Sequence, residues 1–225
     1  QAKGRVHRAI AQSGNIQTVP QADAENYLDD DAAPGQPDCF REIINKLLVV
    51  DGKALNRAAA KGVQDAMSNE QLAAYLRGMT AEQLFAAVQR RVGLGYFSPT
   101  KIRDGIVFPE QSLREVFADP ERYNAVPLIV GSNRDEYKFF LYGDERFGEK
   151  RFGLLPQIQD INEYNRVTRY FSDQWQVIGV DEPAAILSRS QPGQVFAYRF
   201  DWAGQKPFLG VDVAQVIGAA HGLEN

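Results

Sequence analysis

The spacing of apolar and polar residues divides the chain into segments with the period of strands and segments with the period of helices. One segment, Pro127 to Gly131, is an uninterrupted apolar run with β-branched residues that begins at a proline and ends at a glycine. A run of this kind is typical of a strand buried on both faces of a parallel sheet. Two further runs predict strands at about Arg8 to Gln12 and Gln194 to Trp202. The pattern therefore predicts an α/β protein.

Helices are predicted on both sides of the middle strand. Ser68 and Thr80 each stand three residues before a glutamine, which is the sequence pattern of a capping box. These caps predict helices at about Asn69 to Arg77 and Ala81 to Arg91. Apolar spacing gives each of the two helices a buried face, formed by Leu72, Tyr75 and Leu76 in the first and by Leu84, Phe85 and Val88 in the second. Further helices are predicted at about Cys39 to Asp51, Ser112 to Ala118, Asp160 to Val177 and Glu182 to Arg189, and an exposed loop is predicted from Asn15 to Asp38.

The composition narrows the class of protein. Of the 225 residues 44% are hydrophobic and 24% are charged, as expected of a soluble globular domain, and the net charge of −4 argues against nucleic acid as a partner. No apolar run approaches the roughly 20 residues of a membrane-spanning helix, so no membrane span is expected. Cys39 is the single cysteine, so the chain forms no internal disulfide. Two distant histidines and one cysteine show no metal-ligand spacing, so no metal is expected.

Candidate catalytic residues follow two of the predicted strands. Asp135 and Glu136 come just after the strand that ends at Gly131, on the edge of an open α/β sheet where sites are built. His221 follows the last predicted strand, in the small-residue segment GAAHGLE. An acid after one strand and a histidine after the next is the order of a hydrolase triad. An ordinary loop histidine explains His221 equally well, and a surface position is the better reading of His7.

The nucleophile of such a triad is missing. A serine hydrolase of this order needs the motif GxSxG on a sharp turn before the acid, and the chain does not contain it. Ser13 lies in AQSGN and Ser132 in VGSNR, and neither serine has glycines on both sides. Cys39 has no such turn around it either. Only two triad members are therefore found in the chain.

Four motifs resemble, in order and spacing, those of the type-B carboxylesterases, the cholinesterase-like branch of the α/β-hydrolases. The motifs are KGRVHRAIAQSG (Lys3 to Gly14), DGIVFP (Asp104 to Pro109), VPLIVGSNRDE (Val126 to Glu136) and GAAHGLE (Gly218 to Glu224), and YLRGMTAEQL (Tyr75 to Leu84) also matches a segment of the family. The resemblance implies a Ser-Glu-His triad in which Glu136 is the acid and His221 the histidine. It places the serine upstream of Lys3. The 225 residues would then form a single partial α/β-hydrolase domain that holds the sixth, seventh and eighth strands of the sheet.

The resemblance also implies a function. We expect a fragment of a serine carboxylic-ester hydrolase that acts on a small-molecule ester, needs no cofactor, and is inactive alone because it lacks the nucleophile. Phe139 and Phe140 are expected to line the pocket, together with the helical region Leu47 to Val92. Tyr75 stands where many animal members carry a disulfide cysteine, which favours a bacterial-type member. The alternative is a non-catalytic binding or adhesion domain of the same family, although the presence of both Glu136 and His221 argues against it.

Overall fold

The computed structural model describes residues 4–88, 101–151 and 155–225. The chain divides into two compact units. The described residues of the first unit are 4–17, 111–151 and 155–225, and those of the second are 18–88 and 101–110. The single partial domain over residues 1–225 stays a prediction.

The first unit carries the predicted strands. Its elements in chain order, with those of the second unit between them, are β1 (Ala9–Gln12), β2 (Val19–Pro20), α1 (Gln21–Glu25), α2 (Phe40–Val50), α3 (Arg57–Asp65), α4 (Asn69–Arg77), α5 (Ala81–Ala87), β3 (Ile102–Arg103), α6 (Leu113–Phe117), β4 (Leu128–Asn133), α7 (Lys138–Leu141), β5 (Gly148–Arg151), β6 (Leu155–Ile158), α8 (Ile161–Gln176), α9 (Glu182–Ser190), β7 (Val195–Phe200) and α10 (Val213–Val216). A π-helical turn, Val177–Asp181, joins α8 to α9.

The central sheet is parallel and has the order β1-β4-β7. Ala9 pairs with Leu128, and Leu128 pairs with Val195 on the other side. Within β4 the residues from Val130 to Asn133 are buried, whereas Leu128 is half-buried and Ile129 is exposed, so the predicted burial on both faces is found only in the second part of the strand. It continues two residues past the predicted end at Gly131, because Ser132 and Asn133 still pair with β7. The predicted α/β class with parallel strands is confirmed.

The two faces of this sheet differ. On one face, an apolar cavity of about 280 Å³ lies between the sheet and helices α6 and α9, lined by residues that include Ala11, Val130 and Leu187. On the other face, Ile10, Ile129 and Phe196 stand in register across the three strands and are all exposed. Parallel sheets are normally covered on both faces. This apolar row is therefore an uncovered part of the sheet within the described residues.

Gly131 offers a test of the packing on β4. A Cβ atom at this position would lie 2.0 Å from the ring of Tyr198, its neighbour on β7. We expect Gly131→Ala to lower the free energy of unfolding by about 1–3 kcal/mol, the usual effect of overpacking. Gly62→Ala is the matched control, since Gly62 is exposed within α3 and its added Cβ would meet no atom within 4 Å. The control should raise stability by about 0.5–1 kcal/mol in urea denaturation, and a neutral Gly131→Ala would contradict the packing.

The second unit is mainly helical, and its caps follow the sequence. Helices α4 and α5 begin with complete capping boxes at Ser68 and Thr80. Its core contains Ile44, Leu48 and Ala60, and Leu72, Tyr75 and Leu76 of α4 pack against this core as predicted.

Helix α5 differs from its prediction in two ways. It ends at Ala87, because Val88 has an extended backbone conformation, and the predicted residues 89–91 lie outside the described residues. Phe85 was expected on the buried face but is 54% exposed. Leu84 and Ala87 define the inward face, and with 3.6 residues per turn Phe85 points about 100° away from Leu84.

The predicted exposed loop from Asn15 to Asp38 was also partly wrong. This segment contains β2 and α1, and it buries Ala24 and Tyr27. The side chain of Asn26 donates to Ala33 O at 2.8 Å, and the carboxylate of Asp30 accepts from Ala33 N at 3.0 Å. Local side-chain hydrogen bonds of this type order a segment that is too polar to be recognised by its apolar pattern.

Candidate active site

The first element of the site is the turn that follows β4. The strand ends at Asn133, whose backbone N–H donates to Glu136 Oε1 at 2.7 Å. This hydrogen bond folds the turn back on itself and brings the Glu136 side chain beneath it. Glu136 is fully buried as a result. A charged side chain is buried in this way only when its oxygens have partners.

The second element is the loop that carries His221. Asp135 N donates to Ala219 O at 3.0 Å, and Ala219 N donates to Asp135 Oδ2 at 3.0 Å. Ala219 and Ala220 are fully buried. Gly218 has φ +58°, and a Cβ atom there would lie 2.4 Å from Asp135 Oδ2. The small residues before His221 therefore allow the loop to approach the turn after β4.

The two elements bring Glu136 and His221 together. His221 Nδ1 lies 2.7 Å from Glu136 Oε2, and the His221 side chain is 34% exposed whereas that of Glu136 is fully buried. The neighbouring Asp135 instead accepts from Arg134 Nη2 at 2.7 Å and from Ala219 N. Glu136, and not Asp135, therefore faces the imidazole, and its role as the acid of a triad stays a prediction.

Ser13 completes the surroundings of the acid. Its hydroxyl donates to Glu136 Oε1 at 2.5 Å. Ser13 follows β1, the neighbour of β4 in the sheet, and has φ +53°, a backbone conformation that is uncommon outside glycine. Trp175 Nε1 donates to Ser13 O at 3.1 Å. In the sequence Ser13 was weighed only as a nucleophile. In the structure its hydroxyl is hydrogen-bonded to the carboxylate of Glu136.

Two further polar residues lie behind this pair. Asn133 is buried, and its Nδ2 donates to Ala220 O at 2.7 Å and to Glu224 Oε2 at 2.5 Å. Glu224 Oε1 lies 3.4 Å from Ser13 Oγ. Neither Asn133 nor Glu224 was singled out from the sequence. Their sequence positions could have indicated a role, because Asn133 lies in the motif VPLIVGSNRDE with Glu136 and Glu224 lies in the motif GAAHGLE with His221.

Aromatic rings surround the imidazole. The ring centroid of His221 lies 5.2 Å from that of Trp175, 5.4 Å from that of Phe140 and 6.3 Å from that of Phe139. The second ring nitrogen of His221, Nε2, has no hydrogen-bond partner among the described residues. Nδ1 of His221 is therefore held by the buried carboxylate of Glu136, and Nε2 belongs to a ring that is surrounded by aromatic side chains.

The environment raises the pKa of His221 above the ordinary histidine value. The hydrogen bond with Glu136 is the largest cause, burial opposes it, and the charges of Glu136 and Glu224 add to the rise. A raised pKa means that the imidazolium is favoured by the site. The imidazole of His221 accepts a proton at pH values above its pKa and carries one to donate at pH values below it. A histidine can therefore transfer protons near neutral pH.

Comparison with known proteins bears on the fold. A solved structure of PNB esterase has a TM-score of 0.51 to this chain at 20% identity, and the match covers 99% of this chain and 43% of that one. The chain has part of an α/β-hydrolase-like fold. A second structure of PNB esterase matches with a TM-score of 0.46 at 20% identity and covers 99% of this chain and 41% of that one. No family model and no curated protein matches.

The likeness extends to the fold alone, and this chain spans less than half the length of the esterase it matches. Within this partial α/β-hydrolase-like fold, Glu136 lies on the turn at the carboxyl end of the parallel strand β4, and His221, which follows α10 after β7, contacts it there. Ligands bind in open α/β sheets at this edge. The pair therefore lies where binding sites occur in folds of this class.

Other residues weighed from the sequence lie apart from this pair. His7 is exposed, and Cys39 is a buried free thiol whose Sγ contacts Asn26 O at 2.8 Å. The described residues contain no group of three or more metal-binding side chains. Across residues 4–88, 101–151 and 155–225, no helix is both long enough and apolar enough to cross a membrane.

Proposed function

We propose that this chain carries the acid and the histidine of a serine carboxylesterase, with Glu136 and His221 as two members of a Ser-Glu-His triad. The observation that carries the proposal is a fully buried carboxylate on Nδ1 of a partly exposed imidazole. In a triad of this type the acid holds one ring nitrogen and the other exchanges a proton with the nucleophile. The free Nε2 of His221 suits that exchange.

We also propose that the nucleophile lies outside these 225 residues. Ser13 Oγ donates to Glu136, so this hydroxyl supports the acid and does not sit on the base. Ser132 is fully buried, which removes its hydroxyl from a substrate. The coverage of 43% of the matched esterase and the uncovered apolar row of the sheet both support a fold that is continued by further chain.

The proposed reaction is ester hydrolysis in two steps. His221 Nε2 takes the proton of the serine hydroxyl as its oxygen attacks the ester carbonyl, and then gives that proton to the leaving alcohol. A water molecule then attacks the resulting acyl-enzyme and gives a proton to His221, which passes it to the serine oxygen as the carboxylic acid leaves. Throughout, Glu136 fixes the tautomer with the proton on Nδ1 and stabilises the imidazolium. The steps use no cofactor.

The substrate in this proposal is a small-molecule ester. Phe139 and Phe140 lie beside His221, so we propose that they form part of the wall against which the acyl or alcohol group binds. Apolar and aromatic side chains with a few polar groups are the usual lining of small-molecule sites.

A serine-directed fluorophosphonate probe tests the proposal. The complete protein that contains this chain should be labelled on one serine, and peptide mapping should place that serine outside residues 1–225. The label should be lost in His221→Ala and kept in His7→Ala, because only the triad base activates the serine. The 225 residues alone should neither take the label nor hydrolyse a p-nitrophenyl ester faster than their own His221→Ala variant. A label on Ser13 or Ser132 would refute the outside nucleophile, and no label at all would favour the binding domain.

A further inference from the structure

The position of His221 is set by the backbone that leads to it. Its side chain has a single hydrogen-bond partner among the described residues, Glu136. The backbone of residues 215–220 is held much more closely, by side chains from four other places in the chain. Its carbonyl groups accept from Lys138 Nζ at Gln215 (2.8 Å), from the Tyr164 hydroxyl at Val216 (2.8 Å), from Gln205 Nε2 at Gly218 (2.7 Å) and from Asn133 Nδ2 at Ala220 (2.7 Å).

Two of the groups that hold this loop are charged and come from the segment that carries the acid. Asp135 Oδ2 accepts from Ala219 N at 3.0 Å, and Lys138 Nζ donates to Gln215 O at 2.8 Å. Lys138 Nζ also lies 3.7 Å from Asp135 Oδ1, with side-chain exposures of 10% for Lys138 and 16% for Asp135. In the sequence, Glu136 therefore lies between two residues that both form hydrogen bonds with the backbone of the His221 loop.

A buried charged pair is not the simplest way to stabilise this region. Burial lowers the pKa of Lys138, and the attraction of Asp135 opposes that shift. Burial also disfavours the charge on Asp135, but hydrogen bonds from Arg134 and Ala219 and the charge of Lys138 hold its pKa below the ordinary value. Apolar residues of similar volume often stabilise a fold as well as a buried ion pair does. Unlike apolar residues, these two side chains form hydrogen bonds with the backbone of the loop that leads to His221.

We infer that Asp135 and Lys138 form a clamp that positions His221, by fixing the 215–220 backbone against the turn that presents Glu136. Both are positioning residues, and neither touches the reacting atoms. The inference rests on the proposed function, because it concerns the geometry of the same acid–histidine pair. If the clamp opens, the loop shifts and His221 Nδ1 moves away from Glu136 Oε2.

Lys138→Met in the complete protein tests the clamp. We expect kcat per active site to fall by about 10- to 100-fold with KM little changed, because a displacement of about 1 Å in a catalytic group has an effect of this size. Active sites are counted by titration with the fluorophosphonate probe, so that loss of folded protein is not mistaken for loss of turnover. The acidic limb of the pH–kcat profile should move to lower pH. Lys138→Arg keeps the charge and should restore most of both properties.

The direction of that limb separates positioning from simple electrostatics. The charged groups that act on His221 are Glu136 and Glu224, and those that act on Lys138 are Asp135, Arg134 and Asp212. Removing a positive charge near an imidazole favours its protonation and would move the limb to higher pH. A weaker bond to Glu136 disfavours protonation and moves the limb to lower pH. The two explanations therefore predict opposite shifts.

Two glycines on either side of His221 provide a second test without any change of charge. Gly218→Ala places a Cβ atom 2.4 Å from Asp135 Oδ2 and so forces the clamp apart, whereas Gly222→Ala meets no atom within 4 Å. Both glycines have positive φ, +58° and +83°, so the backbone strain of the substitution is similar. Gly218→Ala should lower kcat per active site and move the acidic limb down, and Gly222→Ala should do so much less. Equal effects of the two would overturn the clamp.

The clamp and the proposed function fail in different ways. A Lys138→Met limb that stays in place or moves to higher pH, or a loss confined to the number of titrated sites, would overturn the clamp while leaving the triad intact. Arg166→Met is the control for loss of a positive charge, since Arg166 is 72% exposed and pairs only with Glu163 in the described contacts. If His221→Ala keeps its turnover, the proposed function itself fails, whatever Lys138 shows.

Discussion

His221→Ala in the complete protein should lower kcat by about 10⁴- to 10⁶-fold while KM changes little. Without the imidazole the serine stays a neutral alcohol, which is a weak nucleophile, whereas the contacts that bind the ester remain. Steady-state hydrolysis of a p-nitrophenyl ester measures both constants. The substitution also leaves the buried Glu136 without one of its partners, so kcat should be expressed per folded molecule, with circular dichroism to confirm the fold.

His7→Ala is the internal control for this experiment. The chain has two histidines, and His7 is exposed, so its replacement should be nearly silent in activity and in stability. A folded His221→Ala protein that kept more than about a tenth of the wild-type kcat would contradict the triad, because loss of a general base has a far larger effect.

The parts of the fold that were predicted correctly are those with a local cause. Helix α4 has the predicted bounds, Asn69–Arg77. Its N-terminal cap is formed by Ser68 and Gln71, which are only three residues apart in the sequence. Strand β4 was recognised from its unbroken apolar run, which is typical of a strand in a parallel sheet, although Ile129 on one face is exposed among the described residues. Such signals depend on a few consecutive residues and require no knowledge of what packs against them.

The parts that were missed depend on residues far away in the sequence. Strand β4 runs on to Asn133 because β7 is there to pair with it, although Ser132 and Asn133 are polar. Phe85 is 54% exposed, and the inward face of the short helix α5 is formed by Leu84 and Ala87, a choice that depends on what packs against the helix. The role of Ser13 was likewise missed, because its hydroxyl donates to the carboxylate of Glu136, which is 123 residues away.

The candidate site lies between these two cases. Placing Glu136 and His221 after two predicted strands made them candidates to meet at one edge of the sheet, but an ordinary loop histidine explained His221 equally well until the family resemblance was considered. Choosing Glu136 over Asp135 relied on the family resemblance, because adjacent residues in a turn point in different directions and the sequence does not say which points inward. In the structure the choice follows from Asn133 N–H, which draws Glu136 beneath the turn and leaves Asp135 to the loop of His221.

The choice between the two carboxylates is open to direct measurement through a matched pair of amide substitutions. Glu136→Gln in the complete protein should lower kcat by about 10⁴-fold, the size found when the acid of a triad is made an amide. The amide keeps the shape of the side chain, but its N–H₂ favours the imidazole tautomer with the proton on Nε2, which cannot accept the proton of the serine. The loss of the carboxylate also removes the main cause of the raised pKa of His221, so the residual acidic limb should move to lower pH.

Asp135→Asn makes the same chemical change one residue earlier and should lower kcat by only about 10- to 100-fold, because Asp135 positions the loop and does not contact the imidazole. The asparagine oxygen can still accept from Ala219 N, whereas the attraction to Lys138 is lost. Both variants are compared per active site, by titration with the serine-directed probe, and at a pH above the limb of each profile. A larger loss in Asp135→Asn than in Glu136→Gln would mean that the acid of the triad has been assigned to the wrong carboxylate.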